Sequence, residues 1–141
     1  LTLAASAFAL MAFAPTTASV DPDFVREEPS RAVMELFQME EGRWHIAISA
    51  GGVPNGAATA ADCEIQARGP QDLDGVIHAR PTPFTSPTNE MTAADIGSEP
   101  PVIEVRVGPE GAFVSDSGAA ARYCGMGSDI SGFYRRTETP D

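Results

Sequence analysis

The sequence predicts a small, mainly β domain: an antiparallel β-barrel or sandwich of about seven strands with one short N-terminal helix. Several short runs alternate between apolar and polar side chains, as strands with one buried face do. Gly, Asp and Pro residues separate these runs at intervals of roughly 8–14 residues, which is typical of small barrels and sandwiches. Two cysteines lie far apart in the chain and suit one disulfide. A single β-rich domain is therefore expected over residues 30–141.

The first residues of the chain have the pattern of a targeting segment. Residues 1–14 carry no charge, consist mostly of Ala, Leu, Phe and Met, and end at Pro15. A membrane-spanning helix needs about 20 apolar residues, whereas a signal peptide needs fewer and ends in small residues such as Thr16 and Ala18. Residues 1–18 are thus predicted to be a signal peptide that begins upstream of Leu1, and the protein is expected to be periplasmic or secreted.

The next two segments are predicted to be an arm and a helix. Residues 19–29 are acidic and contain two prolines, so a flexible arm is expected. Residues 30–41 are predicted to be helical because Ser30 can cap the first turn and Gly42 can end the helix. Four apolar residues share one face of that helix: Ala32, Val33, Leu36 and Phe37.

Three strands are predicted after this helix, at residues 43–50, 62–68 and 75–80, each with apolar side chains at alternate positions. Residues 51–61 separate the first two strands, and their Gly, Pro and Asn-Gly content predicts a turn or mobile loop. An Asp-Gly pair precedes the third strand and predicts a turn.

Residues 81–101 contain five prolines and few apolar side chains, so they cannot form a central strand. A loop of this length in a compact domain is usually functional or disordered. Ser86 and Pro87 suit the start of a short helix within it, and Gly97 suits the end. Beyond this loop, four more strands are predicted, at residues 102–107, 112–115, 119–124 and 132–137.

The charge of the chain limits its partners. The formal net charge is −11, and all nine basic residues are arginines. An acidic surface repels nucleic acid and anionic lipid, because both need a basic face that displaces counterions. We expect a monomer with no nucleic-acid partner, no stable membrane insertion after signal cleavage and no cofactor. The absence of lysine excludes Schiff-base chemistry.

Cys63 and Cys124 are the only cysteines, and in an exported chain they are predicted to form a disulfide. Closing a loop of this length is worth about 4 kcal/mol by the chain-entropy estimate. The alternative is two buried free thiols. A redox role is not expected because there is no Cys-x-x-Cys motif.

Catalysis has no clear location in the sequence. His45 and His78 lie on the polar faces of predicted strands, and if those strands pair, the two imidazoles can hold a metal with Glu64 or Asp62. That reading leaves a small metal-dependent hydrolase as an alternative. Ser117 lies in a predicted turn without the strand-to-helix elbow of a nucleophilic serine. No catalytic, metal or cofactor residue is predicted.

Two short motifs carry a resemblance. Gly42, Arg43 and Trp44 open the first predicted strand, and Arg135 and Arg136 lie near the last one. This pattern resembles the lipocalin-like barrels and the small exported metalloprotease-inhibitor barrels. The resemblance implies a barrel that acts by binding, and for an inhibitor it implies that an arm at residues 19–29 enters the target's cleft. A tryptophan at this place usually fills the core, and an arginine of the last strand can stack on it.

The sequence is best interpreted as an exported, non-enzymatic binding domain whose ligand is a protein or a small molecule. The alternatives are a protease-inhibitor-like barrel and a structural cell-envelope protein. The loops at residues 51–61 and 81–101 are the expected contact surfaces. Five residues are predicted ligand or partner contacts: Trp44, His45, His78, Phe84 and Met91.

Overall fold

A computed structural model describes residues 23–51 and 62–137 of the chain, and these residues form a β-barrel with two short helices. The strands are β1 (Phe24–Arg26), β2 (Ala32–Gln38), β3 (Arg43–Ala50), β4 (Cys63–Pro70), β5 (Val76–Pro81), β6 (Phe84–Thr85), β7 (Glu90–Met91), β8 (Ile103–Val107), β9 (Gly111–Ser115) and β10 (Gly132–Arg136). The helices are α1 (Ala93–Ile96) and α2 (Ala119–Cys124), and a 3-10 turn covers Glu40–Gly42.

Eight of these strands close the barrel, in the order β1, β10, β9, β8, β5, β4, β3 and β2, and every neighbouring pair is antiparallel. The longest ladders join β3 to β2 and to β4, because β3 pairs along its whole length with β4, from Arg43↔Pro70 to Ala50↔Cys63. The prediction of a small, mainly β antiparallel barrel is confirmed.

The interior of the barrel is filled by apolar side chains from all eight strands. Each strand contributes at least one residue that is 2% exposed or less: Phe24, Met34, Ile46, Ile65, Ile77, Ile103, Val114 and Tyr134. Full burial of such a side chain is worth about 1.5–3 kcal/mol, so this shared interior is the main stabilising feature of the fold.

The two ends of the barrel are built differently. The helical end carries the β6–β7 hairpin and both helices, and Tyr123 and Arg122 of α2 donate hydrogen bonds to the carbonyl oxygen of Ile96 in α1. The disulfide between Cys63 of β4 and Cys124 of α2 lies at this end. The opposite end, here called the turn end, is formed by the 3-10 turn and by the turns before β5 and before β9.

The predicted helix at residues 30–41 is wrong, because Ala32–Gln38 form strand β2. The apolar residues in this segment fit both a helical and a strand period, so periodicity alone does not separate the two. In the barrel, Ala32 and Met34 point into the core, and Phe37 on the outer side is 51% exposed. Pairing with both β1 and β3 outweighs local helix preference here.

The flexible arm predicted at residues 19–29 is also corrected in part. Phe24–Arg26 form β1, which lies between β10 and β2 and closes the barrel. Phe24 is 2% exposed, so its burial offsets the cost of ordering the strand. Residues 19–22 of the arm, the predicted signal peptide at residues 1–18, and residues 52–61 of the first predicted loop lie outside the described residues.

The strand predicted at residues 119–124 is wrong as well, because this segment is helix α2. The carboxylate of Asp116 accepts hydrogen bonds from the backbone N–H groups of Gly118 and Ala120, which satisfies donors at the start of the helix. An alanine-rich run then favours the helix. The disulfide therefore joins a strand to a helix rather than two strands.

A turn of helix does lie in the proline-rich segment, as predicted. It is shorter than the predicted helix and begins at Thr92, whose side chain accepts from the Asp95 N–H while the Asp95 carboxylate accepts from the Thr92 N–H. This capping box defines the start of α1, and Gly97 with φ 82° ends it.

Candidate functional site

His45 lies on the outer side of β3 but is only 6% exposed. The ring of Phe37 stacks on it at 4.6 Å between centroids and 16° between planes. Its Nδ1 accepts a hydrogen bond from Nε of Arg68 at 3.1 Å. Burial, and then the positive charge of Arg68, lower the pKa of His45 below its ordinary value. The imidazole is therefore kept neutral and acts as a hydrogen-bond acceptor for the guanidinium.

His78 on β5 has a different environment. Its Nε2 lies 2.7 Å from Oδ2 of Asp72, and its Nδ1 lies 3.5 Å from Oε1 of Glu104 on β8. The hydrogen bond from His78, and then that from the Val76 N–H, lower the pKa of Asp72. Both ring nitrogens of His78 thus face carboxylates.

The structure does not bring the two histidines together. Strand β4 lies between β3 and β5, and Arg68 of β4 lies beside His45. The further ligand expected from the sequence is Glu64 or Asp62, and the carboxylate of Glu64 accepts hydrogen bonds from Ser86 and Thr88 instead. Across residues 23–51 and 62–137, no group of three or more His, Cys, Asp or Glu is placed to hold a metal ion.

Arginines gather on the outer wall of the barrel near the turn end. They line a shallow depression of about 230 Å³ together with His78, Gly69 and Pro70. We call this surface the arginine face, and its residues are Arg43, Arg68, Gly69, Pro70, His78 and Arg80. The register of the strands produces it, because Arg43 pairs with Pro70 and Arg68 pairs with Arg80.

The guanidinium groups of the arginine face have no carboxylate partner within residues 23–51 and 62–137. The side chains of Arg43 and Arg80 form no hydrogen bond or ion pair in the described part of the chain, and the side chain of Arg68 bonds there only to the ring of His45. Like charges at directly paired positions of a sheet are destabilising, and Arg68 and Arg80 are such a pair. Three arginines therefore lie together without an ion pair to any of the acidic residues that the structure describes.

Gly69 lies where strands β4 and β5 approach each other closely. A Cβ atom at this position would lie 1.8 Å from the carbonyl oxygen of His78 and 2.7 Å from its carbonyl carbon. Only glycine allows β4 to approach β5 this closely. Glycine at position 69 therefore sets the spacing of the two strands whose residues line the arginine face.

An aromatic ring extends the arginine face on one side. Phe37, His45, Arg68 and Arg80 are successive register partners across β2, β3, β4 and β5, so they form one row on the outer wall. Neighbouring strands lie about 4.8 Å apart, which makes the row about 14 Å long. Phe37 at its end is 51% exposed. The row thus presents an apolar ring at one end and guanidinium groups at the other.

Comparison with known proteins gave no match. No protein-family model matches the chain, and neither a search of the curated proteins nor a search of the solved structures found a match. The resemblance drawn from Gly42, Arg43 and Trp44 therefore stays a prediction. No helix in the described ranges is long and apolar enough to cross a membrane. Function is consequently inferred from the geometry of the arginine face.

The structure separates the predicted contact residues. His45 and His78 border the arginine face, whereas Trp44 packs against the core and its buried Nε1 has no hydrogen-bond partner in the described residues. Phe84 and Met91, on the β6–β7 hairpin, are 9% and 5% exposed and belong to the core cluster. A contact role for these residues stays a prediction, and in this conformation the last two are covered.

The arginines themselves were not predicted as contacts. One signal was present: Arg43 and His45 alternate on one strand, and His78 and Arg80 alternate on another. The arginine expected to stack on Trp44 does not do so, because Arg136 lies over the ring of Phe24, at 5.0 Å from its centroid.

Proposed function

We propose that this chain is an exported, non-enzymatic binding domain that recognises an anionic group through the arginine face. One observation carries the proposal: Arg43, Arg68 and Arg80 line a common depression and have no carboxylate partner among the described residues, in a chain of net charge −11. Guanidinium groups bind carboxylate, phosphate and sulfate oxygens through charge-assisted hydrogen bonds, often in pairs. The shared chemistry of the ligand is a polyatomic oxyanion.

Two features support export. The apolar run at residues 1–14 followed by small residues is typical of a signal peptide, and the disulfide between Cys63 and Cys124 is of a kind that persists in oxidising compartments. We expect the protein in the periplasm or outside the cell. Cell fractionation tests this, with mass spectrometry of the alkylated, unreduced protein. Alkylation of both thiols in material from the cell would contradict the proposed compartment.

The environment of the histidines supports binding rather than catalysis. A catalytic imidazole needs one nitrogen free for the nucleophile or substrate. Both nitrogens of His78 face carboxylates, and His45 is covered by Phe37 and bonded to Arg68. Ser117 lies in a turn between strand β9 and helix α2 with φ 52°, so the expectation that it lacks a strand-to-helix turn is wrong. Its hydroxyl forms no hydrogen bond with a histidine among the described residues, so the base that a nucleophilic serine needs is not beside it there.

Titration calorimetry of the protein from residue 19 onward tests the anion site. Phosphate, sulfate and acetate are the probes, and Arg68→Gln and Arg80→Gln are the variants. Because hydrogen bonds to a charged group are worth about 1.5–3 kcal/mol, each substitution should weaken binding of the preferred anion by roughly tenfold or more. Arg135→Gln is the matched control, since Arg135 is exposed on β10 away from the arginine face. Equal affinities for all three variants, or no anion binding by the parent protein, would overturn the proposal.

A further inference from the structure

We infer that the row of Phe37, His45, Arg68 and Arg80 binds an acidic segment of a partner protein, with carboxylates on the arginines and an apolar side chain against Phe37. This inference rests on the proposed function and names the ligand class of the same site. Three observations carry it: the shape of the surface, the orientation of Arg68 and the position of the exposed aromatic ring.

The shape favours a macromolecular ligand. Pockets that enclose small molecules usually measure about 300–1,000 Å³ and are concave and mostly apolar. The arginine face is an open depression of about 230 Å³, arginines are three of its six lining residues, and it lies on the outer wall of the barrel. A small anion alone would stay largely in water there. A segment that crosses several strands can cover the whole row and exclude water from it.

Arg68 is held in a defined orientation. Its Nε donates to Nδ1 of His45 at 3.1 Å. The ring of Phe37 stacks on the ring of His45, with 4.6 Å between the two centroids. The hydrogen bond to His45 uses one N–H of the guanidinium and leaves its terminal N–H groups for a ligand. A side chain that is already ordered loses less entropy on binding, and arginine is enriched among the residues that dominate interface energies. Arg68 is thus suited to anchor a carboxylate.

Phe37 supplies the apolar contact. Its ring is 51% exposed and lies two strand positions from Arg68, a separation of about 10 Å at the usual strand spacing. About three residues of extended chain span that distance. The row therefore fits a segment in which an apolar residue precedes or follows an acidic residue by about three positions. The charge of an acidic segment is complementary to this row only, because the rest of the chain is acidic and repels such a segment.

Fluorescence anisotropy with labelled peptides tests the inference. The probe peptide carries a leucine three residues from a pair of aspartates. Two matched peptides replace either the leucine by serine or the aspartates by asparagines. We expect the probe to bind at least tenfold more tightly than the asparagine peptide and several-fold more tightly than the serine peptide. Equal binding of all three peptides would overturn the inference.

Variants distinguish this inference from the proposed function. Phe37→Ser should weaken binding of the probe peptide about fivefold or more and weaken binding of free phosphate or acetate by clearly less than that. Phe133→Ser is the matched control, because Phe133 is also on an outer strand face and 50% exposed but lies outside the row. If Phe37→Ser has no effect while Arg68→Gln still abolishes anion binding, the peptide inference fails and the anion site stands. If Arg68→Gln changes neither peptide binding nor anion binding, both the peptide inference and the proposed function fail.

Other occupants of the row are outcomes of the same experiments. A competition experiment in which free phosphate displaces the peptide and binds with the same affinity as the peptide would identify a free oxyanion as the ligand and overturn the inference. Sedimentation of the protein alone gives the remaining outcome. A concentration-dependent dimer that is lost in Arg68→Gln would mean that a second copy of this chain occupies the row, which also overturns it. Circular dichroism of each variant confirms that the fold is retained.

Discussion

Arg26 is 3% exposed, and its guanidinium carbon lies 5.7 Å from the centroid of the Tyr134 ring. The same guanidinium donates hydrogen bonds to the carbonyl oxygens of Ser30, Asp129 and Ser131. This one side chain therefore connects β1 to the loop that leads into β10. Burial raises the pKa of the Tyr134 hydroxyl, which donates to the carbonyl oxygen of Ile130 at 2.6 Å and so fixes the ring under the cation.

Replacing Arg26 by methionine should destabilise the protein by about 3 kcal/mol or more. The substitution keeps most of the apolar stem but leaves the carbonyl oxygens of Asp129 and Ser131 without their donor, and an unsatisfied buried polar group costs about 1–3 kcal/mol. Urea unfolding followed by fluorescence measures the change. Arg135→Met, an exposed substitution on β10, should stay within about 0.5 kcal/mol of the parent. Similar losses for the two variants would contradict the role given to Arg26.

Gly69→Ala should be strongly destabilising, by more than about 2 kcal/mol. The new methyl group would overlap the carbonyl oxygen of His78, which lies 1.8 Å from the ideal Cβ position, so β4 and β5 would have to separate. Gly108→Ala is the control, because the nearest atom to its Cβ position, the carbonyl oxygen of Gly111, is 3.8 Å away. Thermal unfolding compares the two. A wild-type midpoint for Gly69→Ala would show that the close approach of the two strands is not required.

The stability of the folded protein should decrease as the pH is lowered, in a pH window set by His45. Its pKa is lowered in the folded protein, so below its ordinary value of about 6.5 the unfolded chain binds the proton more readily than the folded chain. The contribution of the neutral ring is therefore complete above about pH 6.5 and decreases as the pH falls below it.

His45→Gln tests this pH dependence, because glutamine can accept the hydrogen bond from Arg68 but does not titrate. Unfolding free energies measured between pH 7.5 and pH 5 should change less in His45→Gln than in the parent protein. His78→Gln serves as the comparison, since the ring nitrogens of His78 face the carboxylates of Asp72 and Glu104 and form no hydrogen bond with a guanidinium among the described residues. A pH dependence in His45→Gln as large as that of the parent protein would exclude the assigned role.

Trp44 should tolerate phenylalanine but not alanine. The indole packs against the core, and its Nε1 is buried without a hydrogen-bond partner in the described residues. Phenylalanine removes this unsatisfied donor, which offsets part of the lost contact area, so the net change should stay within about 1 kcal/mol. Alanine loses the packing as well and should cost about 3–5 kcal/mol. Chemical unfolding of both variants checks this, and a larger loss for phenylalanine than for alanine would refute it.

Strands with one buried face were predictable from sequence. The run that became β3 was predicted with the bounds Arg43–Ala50, because Trp44, Ile46 and Ile48 alternate with more polar residues. The disulfide between Cys63 and Cys124 was predictable because the chain has only two cysteines. The alternation of residues 43–50 fits a strand with one buried face, and two cysteines can form only one intramolecular disulfide.

Other elements were not predictable for a stated physical reason. β2 has apolar residues on both sides, so its period is ambiguous, and only pairing with β1 and β3 selects the strand. The short alanine-rich segment of α2 fits either state, and the carboxylate of Asp116 at its start favours the helix. The strand β1 exists because the barrel has to close between β2 and β10.

By its own pattern of residues, the chain determined a small β-rich domain with one disulfide and a strongly acidic charge, because alternation, composition and cysteine number are properties of the linear polymer. The tertiary structure alone decided that Arg43, Arg68 and Arg80 meet beside Phe37. These residues belong to separate segments, and only the register between strands, which depends on the burial of whole faces in a closed barrel, makes them neighbours.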